Sequence, residues 1–290
     1  MAFNMGAALD NAKQKTNMNE EQAGGPGYEP PAAGVCNLRF VGYIEVGKQE
    51  VQYGKDKPKE IKDMVHLIWE LSGPKHKPRE GSDGKTFPIV MVQEMTNTLT
   101  AKSLLFKQFK AMNAAHGGKF THIAEMIGLP FRGKVTHDPK KNGEITYYNE
   151  KLTDIGKAER PEFKQNEDTG EMEETGNMVP VKVDPALTKE MGFLFHHSGK
   201  DHWDTLYIEG EYPERKNDKG EVVKAAQSKN KWQLMIQNAK NWKESPMYPI
   251  VNGGAKGAED AAGVADMIGG EEEEQVASGR QADSDDGIDV

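Results

Sequence analysis

The sequence predicts a mainly β fold with helical additions, organised as a five-stranded Greek-key barrel with a helix between its third and fourth strands. Three observations predict it. Three alternating apolar segments lie between Leu38 and Glu94, before any helical pattern. A helical stripe follows, and then two strand-like segments meet at an Asn142-Gly143 turn, a dipeptide that accepts positive φ at low cost.

The elements can be justified in order. Residues 1–33 are rich in Asn, Gln, Glu and Gly and end in Gly24-Gly25-Pro26-Gly27 and Pro30-Pro31, so they read as a flexible arm that buries too little apolar surface to order. From Leu38 strict alternation places Leu38, Phe40, Gly42, Ile44 and Val46 on one face, and Arg39, Val41, Tyr43 and Glu45 on the other. A basic connection from Gly47 to Lys62 leads to a strand over Met64–Leu71, with Val65, Leu67, Trp69 and Leu71 on one face. A polar loop, Ser72–Thr86, precedes a third strand over Phe87–Glu94. Thr100 can cap a helix whose stripe is Leu105, Phe109 and Met112 and which Gly117-Gly118 ends. Thr121 can cap a second, short helix that stops before Gly128. Arg132–Asp138 and Glu144–Asn149 then form the closing hairpin.

Strand, strand, strand, helix, strand, strand is the order of an OB-like barrel, in which the helix plugs an open end. The strand count alone also permits an SH3-like barrel or an open α+β sheet. The domain plan is an arm (1–33), an OB-like core (34–158), an acidic loop (159–186), a C-terminal α/β extension packed on the core (187–252) and a disordered acidic tail (253–290). In the extension, Phe193–Phe195 and Trp203–Glu209 read as short strands. Lys231–Trp242 reads as a helix capped by Ser228, with Trp232, Met235, Ile236 and Ala239 at helical spacing.

Composition limits the function classes. The chain of 290 residues has a net charge of −9, yet the charge is unevenly placed: residues 1–33 carry −2, 34–160 carry +6, 161–252 carry −4 and 253–290 carry −9. The basic segment is also the one with the best strand pattern. No run of 18 apolar residues occurs, and Met1–Gln22 has no apolar stretch of the signal-peptide kind, so the expected location is the cytoplasm, with no membrane partner. One cysteine, Cys36, excludes an internal disulfide and a thiolate-rich metal site, and its apolar neighbours predict simple burial.

No phosphate-binding Gly-rich loop, dinucleotide fingerprint, H-E-x-x-H helix or nucleophile elbow occurs, so the expectation is a non-catalytic protein without cofactor or metal. The densest cluster of metal-ligating types, His196-His197-Ser198-Gly199-Lys200-Asp201-His202 with Asp204, matches no common zinc spacing and reads as a polar turn. A metal-dependent nuclease using Asp201, His202 and Asp204 is therefore the weakest reading.

Cationic side chains along a groove and exposed aromatic faces are what single-stranded nucleic acid requires, and segment 38–149 supplies both types. Candidate stacking residues are Tyr43, Tyr53, His66, Tyr147 and Tyr148, while Phe40, Trp69, Phe87, Phe106 and Phe109 read as core. Candidate phosphate contacts are Arg39, Lys48, Lys55, Lys57, Lys59, Lys62, Lys75, Lys77, Arg79, Lys140 and Lys141. The alternative for all these lysines is a solvated, solubilising role.

Three sequence blocks carry a family likeness. Lys102-Ser103-Leu104-Leu105-Phe106-Lys107-Gln108-Phe109, Met126-Ile127-Gly128-Leu129-Pro130-Phe131-Arg132-Gly133 and the Tyr147-Tyr148-Asn149 triplet resemble tailed-bacteriophage single-stranded DNA-binding proteins with an OB-like core. Trp203–Gly210, Ser228–Asn230 and Asn238–Trp242 look like the C-terminal extension of some of them. The resemblance implies action in the host cytoplasm during viral DNA replication, recombination or repair. It also implies recruitment of a polymerase, helicase or primase by the acidic tip, here Asp285, Asp286, Ile288, Asp289 and Val290. A homo-oligomer is compatible with it. The competing expectation is a virion or scaffold-type interaction protein whose barrel only docks.

Overall fold

A computed structural model describes residues 30–54, 56–81, 84–142, 145–216 and 222–253, without the side chains of 139–142, 145–149, 215, 216, 223 and 224. Residues 1–29 of the expected arm and 254–290 of the expected acidic tail lie outside the described residues. Contacts divide the chain at Pro30, and the architecture below belongs to the unit from Pro31 onward.

Seven strands and one helix make the first half: β1 (Gly34–Val51), β2 (Glu60–Ser72), β3 (Arg79–Glu80), β4 (Thr86–Phe87), β5 (Ile89–Thr96), α1 (Leu104–Ala115), β6 (Pro130–Asn142) and β7 (Ile145–Gly156). A 3-10 turn, Ile123–Met126, lies between α1 and β6. The second half contributes β8 (Glu159–Gln165), β9 (Met172–Pro180), β10 (Met191–Phe193), α2 (Lys200–Thr205), β11 (Glu211–Tyr212), β12 (Arg215–Lys216), β13 (Val222–Lys224), β14 (Gln227–Ser228), α3 (Lys231–Gln237) and α4 (Met247–Asn252).

The main sheet is antiparallel in the order β5-β2-β1-β6-β7, and β10 adds a sixth strand parallel to β1. It is not closed: among the described residues no backbone ladder joins the edge strands β5 and β7. A side chain spans that gap instead. Buried Gln93 on β5 accepts the Trp69 indole N–H at 2.8 Å and donates to the Leu152 carbonyl of β7 at 2.9 Å.

The sheet carries a hydrophobic cluster on each face. On one side Leu38, Phe40, Tyr43, Val65, Leu67, Trp69, Leu71, Met91 and Met95 pack with Leu105 and Met112 of α1 and with Phe131, Leu152 and Ile155. On the other, Val41, Ile44, Val46, Met64, Ile68 and Val92 pack under Phe193, Phe195, Trp203, Leu206, Trp232, Ile236, Trp242 and Met247 from the C-terminal segment. Each fully buried large apolar side chain contributes on the order of 1.5–3 kcal/mol. β2 is buried on both faces, so its polar residues must find partners inside: the Glu70 carboxylate accepts the Leu187 and Thr188 N–H groups at 2.9 and 2.6 Å.

β1 corrects the expected alternation. Its pairing with β2 slips between Phe40 and Gly42 and again between Glu45 and Gly47. Each bulge inserts one unpaired residue, so the side chains between the first slip and the second change face. Leu38 and Phe40 therefore share their cluster with Tyr43, whereas Val41, Ile44 and Val46 face the extension. Gly47 completes the bend at φ +73°, where a Cβ would strike the Phe195 ring.

Other elements also depart from expectation. α1 is capped by Ser103 rather than Thr100; its Oγ accepts the Phe106 N–H at 3.4 Å. His122, not Thr121, caps the 3-10 turn, reciprocated by Glu125. Segment 159–180, expected as an acidic loop, is the antiparallel β8–β9 ribbon. Trp203 lies on helix α2 rather than on a strand, because Trp203 N–H bonds back to Gly199 and Leu206 N–H to Trp203. α3 ends at Gln237, and its N-cap is Asn230. Phe87, expected in the core, is half exposed. Cys36 is buried, as its apolar neighbours predict, and burial pushes its thiol up to about 12.

Candidate functional site

The expected stacking and phosphate residues fall into four groups. Tyr43 and His66 are buried, at 2% and 3% exposure, and neither offers a face to a base. For Tyr43 the cause is the β1 bulge; its hydroxyl donates to Glu45 at 3.2 Å and its ring meets His122 edge-on. His66 does lie opposite Trp69, but that face is covered, and its ring meets the Trp232 ring at 5.2 Å. Arg39 is corrected from phosphate contact to clamp: its guanidinium donates to the carbonyls of Gly128, Val183 and Asp184 at 2.6–3.2 Å.

The first-loop lysines sit at the end of the sheet where β1 passes into β2. Lys59 pairs with Glu50 at 2.8 Å and Lys62 with Glu60 at 2.7 Å, so part of that charge is neutralised locally. Lys48 and Lys57 are exposed, Tyr53 is half-buried, and Lys55 lies outside the described residues. At the opposite end, exposed Lys75 and Lys77 and half-buried Arg79 share a pole with the β6–β7 hairpin that carries Lys140 and Lys141. Two histidines fasten this pole to the incoming chain: His76 Nε2 lies 2.8 Å from the Ala32 carbonyl and His137 Nε2 lies 2.7 Å from that of Pro31. The side chains of Lys140, Lys141, Tyr147 and Tyr148 lie outside the described residues.

A further basic surface lies around α1, outside the candidates that the motifs suggested. From Met95 to Ala124 the chain has four lysines, two histidines and no Asp or Glu. Helix α1 turns Leu105 and Met112 inward, which leaves Lys107, Lys110, Ala111 and Ala114 outside. Lys102 precedes the helix and Lys119 follows it, both exposed. Two ammonium groups lie over half-buried rings, Lys110 Nζ at 5.2 Å from the Phe106 centroid and Lys119 Nζ at 5.1 Å from that of Phe120. His116 is held below its ordinary value by burial, although its bond to the Pro130 carbonyl at 3.1 Å opposes this. The signal available in the sequence was the thirty-residue run without a carboxylate.

Between α1 and β7 lies an open slot, which Met95 of β5 also lines. Met95, Leu104, Ala111, Leu152 and Ile155 wall it, with Lys107, Gln108, Thr153 and Asp154 among its polar lining. Asp154, at φ 54°, is the only non-glycine with positive φ among the described residues. The buried Gln108 Nε2 has no hydrogen-bond partner.

At the His196–His202 turn, Ser198 Oγ accepts the Leu194 N–H at 2.8 Å and Lys200 pairs with Asp204 at 2.5 Å. Among the described residues no three His, Cys, Asp or Glu side chains are grouped to hold a metal ion. None of their helices is long and apolar enough to cross a membrane. Comparison with protein-family models, with curated proteins and with solved structures finds no match.

Proposed function

We propose that this chain is a non-catalytic single-stranded DNA-binding protein, built on an OB-like barrel whose third and fifth strands are bridged by Gln93 rather than by a backbone ladder. The strand order β5-β2-β1-β6-β7 and a helix over the open edge support the fold reading. The observation that carries the function is the exposed lysines in and around α1, which lie in a thirty-residue run of sequence without Asp or Glu. Four exposed lysines there can replace phosphate counterions, and two of them overlie aromatic rings.

The path differs from the one alternation suggests. The outer face of β1, β2 and β5 lies under the C-terminal extension, so a strand would follow the helix-covered edge and reach toward the pole of Lys75, Lys77 and Arg79. In this reading the protein coats transient single strands during replication, recombination or repair in phage-infected cells, and its acidic tip engages a replication protein.

The test is an anisotropy titration of labelled oligo-dT and a matched duplex at two salt concentrations. Preferential, salt-sensitive binding of the single strand is expected. Replacing Lys102, Lys107, Lys110 and Lys119 by Gln should weaken it and lower the log–log salt slope by up to about 3, since each single-strand phosphate contact contributes about 0.7. Equal affinity of the wild type for both DNA forms, or an unchanged slope in the quadruple variant, would overturn the assignment.

A further inference from the structure

We infer that the β8–β9 ribbon docks on the α1 surface of a second copy of this chain and makes the protein self-associate. The pairing register gives the ribbon two unlike faces. Pro161 lies opposite Met178, Phe163 opposite Glu174 and Gln165 opposite Met172, and strand positions two apart share a face. The extra residues of β9 are taken up between Glu174 and Met178, where Gly176 turns at φ +78°. Phe163, Met172 and Met178 therefore point to one side, and they are 47–62% exposed there. The other side is polar and bonded to itself. The Glu162 carboxylate accepts from Thr175 Oγ1 at 2.8 Å and Asn177 Nδ2 at 3.2 Å, and Asn166 Nδ2 donates to Glu173 at 2.7 Å. The base of the ribbon is fixed, since Val181 N–H reaches the Ala158 carbonyl and Arg132 donates to the Glu159 carbonyl at 2.6 Å. An apolar stripe held in place before docking needs little further ordering to bind.

Charge and length select the occupant. Residues 159–180 hold seven carboxylates and two cations, a net −5, so a ribbon-to-ribbon dimer would set like charges against each other. The α1 surface has the opposite sign, with Lys102, Lys107, Lys110 and Lys119 exposed. It also offers apolar contact at Leu99, which is 69% exposed, and at Ala114. The seven residues of β8 extend about 20 Å and the twelve of α1 about 18 Å. Both surfaces are exposed within one molecule, so the contact joins different copies head to tail and builds a chain or a ring. The same lysines are assigned to phosphate, and here the inference rests on the single-strand reading: a DNA strand and a neighbour's ribbon compete for them.

The experiment is sedimentation velocity of the full-length protein without DNA, over a wide concentration range, at about 0.1 M and about 1 M salt, where screening shortens from about 10 to about 3 Å. The sedimentation coefficient should rise with concentration at low salt and stay flat at high salt; a wild type that is monomeric in both overturns the inference. A ribbon variant, Phe163→Ser with Met178→Ser, and a helix variant, Lys110→Glu with Lys119→Glu, should each weaken association about tenfold or more. All four positions are exposed, and melting temperatures check that both variants fold. Mixing the two should restore a dimer that grows no further, because the helix variant keeps its ribbon and the ribbon variant keeps its lysines. Undiminished association of the ribbon variant overturns the ribbon's role, and undiminished association of the helix variant overturns α1 as its seat. Saturating short oligo-dT should disperse the wild-type assembly, and an assembly that persists with the strand bound overturns the competition. Self-association without any DNA binding overturns the single-strand reading alone, so the two failures are distinguishable.

Discussion

At the scale of single residues, the side chains whose burial was least expected carry the clearest consequences. Tyr43 is enclosed among Val65, Leu67 and Met95 with its hydroxyl on Glu45, and burial pushes its phenol above its ordinary value. Tyr43→Ala should therefore cost about 3–5 kcal/mol in urea unfolding, the range for large aromatics in cores, while Tyr43→Phe should cost about 1 kcal/mol. A variant that stays as stable as the wild type yet loses strand binding would contradict the core assignment. His76 is buried, and burial holds its imidazole below the ordinary 6.5, with Lys75 adding to the shift and the Ala32 bond opposing it. The folded protein thus prefers the neutral ring. Its contribution is full above 6.5 and declines as pH falls below that toward the depressed folded value, so the wild-type melting temperature should drop between pH 7.5 and 5.5 more than that of His76→Gln.

At the scale of elements, how much was legible depends on whether a strand has one buried face, two or none. The Val65–Leu71 face of β2 is legible because its spacing has no interruption, and β6 and β7 pair as an antiparallel hairpin, as expected, over longer strands than expected. In β1 the same rule fails at Phe40–Gly42, because a bulge leaves no mark in the residue types and inverts the positions up to the second slip at Glu45–Gly47, Tyr43 included. The β8–β9 ribbon was illegible for the opposite reason. Most of its residues are exposed, Phe163, Met172 and Met178 among them, so no alternation of burial shapes its composition. Its base is tied by Val181 N–H to the Ala158 carbonyl at 2.7 Å. Replacing residues 160–179 by a Gly-Gly link should therefore leave the melting temperature within a few degrees of the wild type; a loss of cooperative unfolding would show that the ribbon belongs to the core. The lysines of the α1 surface were visible as residues but not as a site, since a helix with an apolar stripe reads first as packing.

At the scale of the whole molecule, the sheet is shared property: its first face is covered by α1 and neighbouring segments, its second by residues 191–247. A chain ending at residue 186 would lack β10, Trp203, Trp232 and Trp242 and should bind a hydrophobic dye and sediment as aggregate; a soluble, cooperatively melting fragment would show the extension to be dispensable. The same arrangement sets a timetable for biogenesis. β5 is complete at Thr96, but the first large buried residue of the cover, Phe193, is added roughly a hundred residues later, about 5–20 s at ribosomal rates of about 5–20 residues per second. During that interval Val41, Ile44, Val46, Met64, Ile68 and Val92 form a bare apolar surface on a nascent chain, the sort of surface that chaperones hold until synthesis delivers its cover.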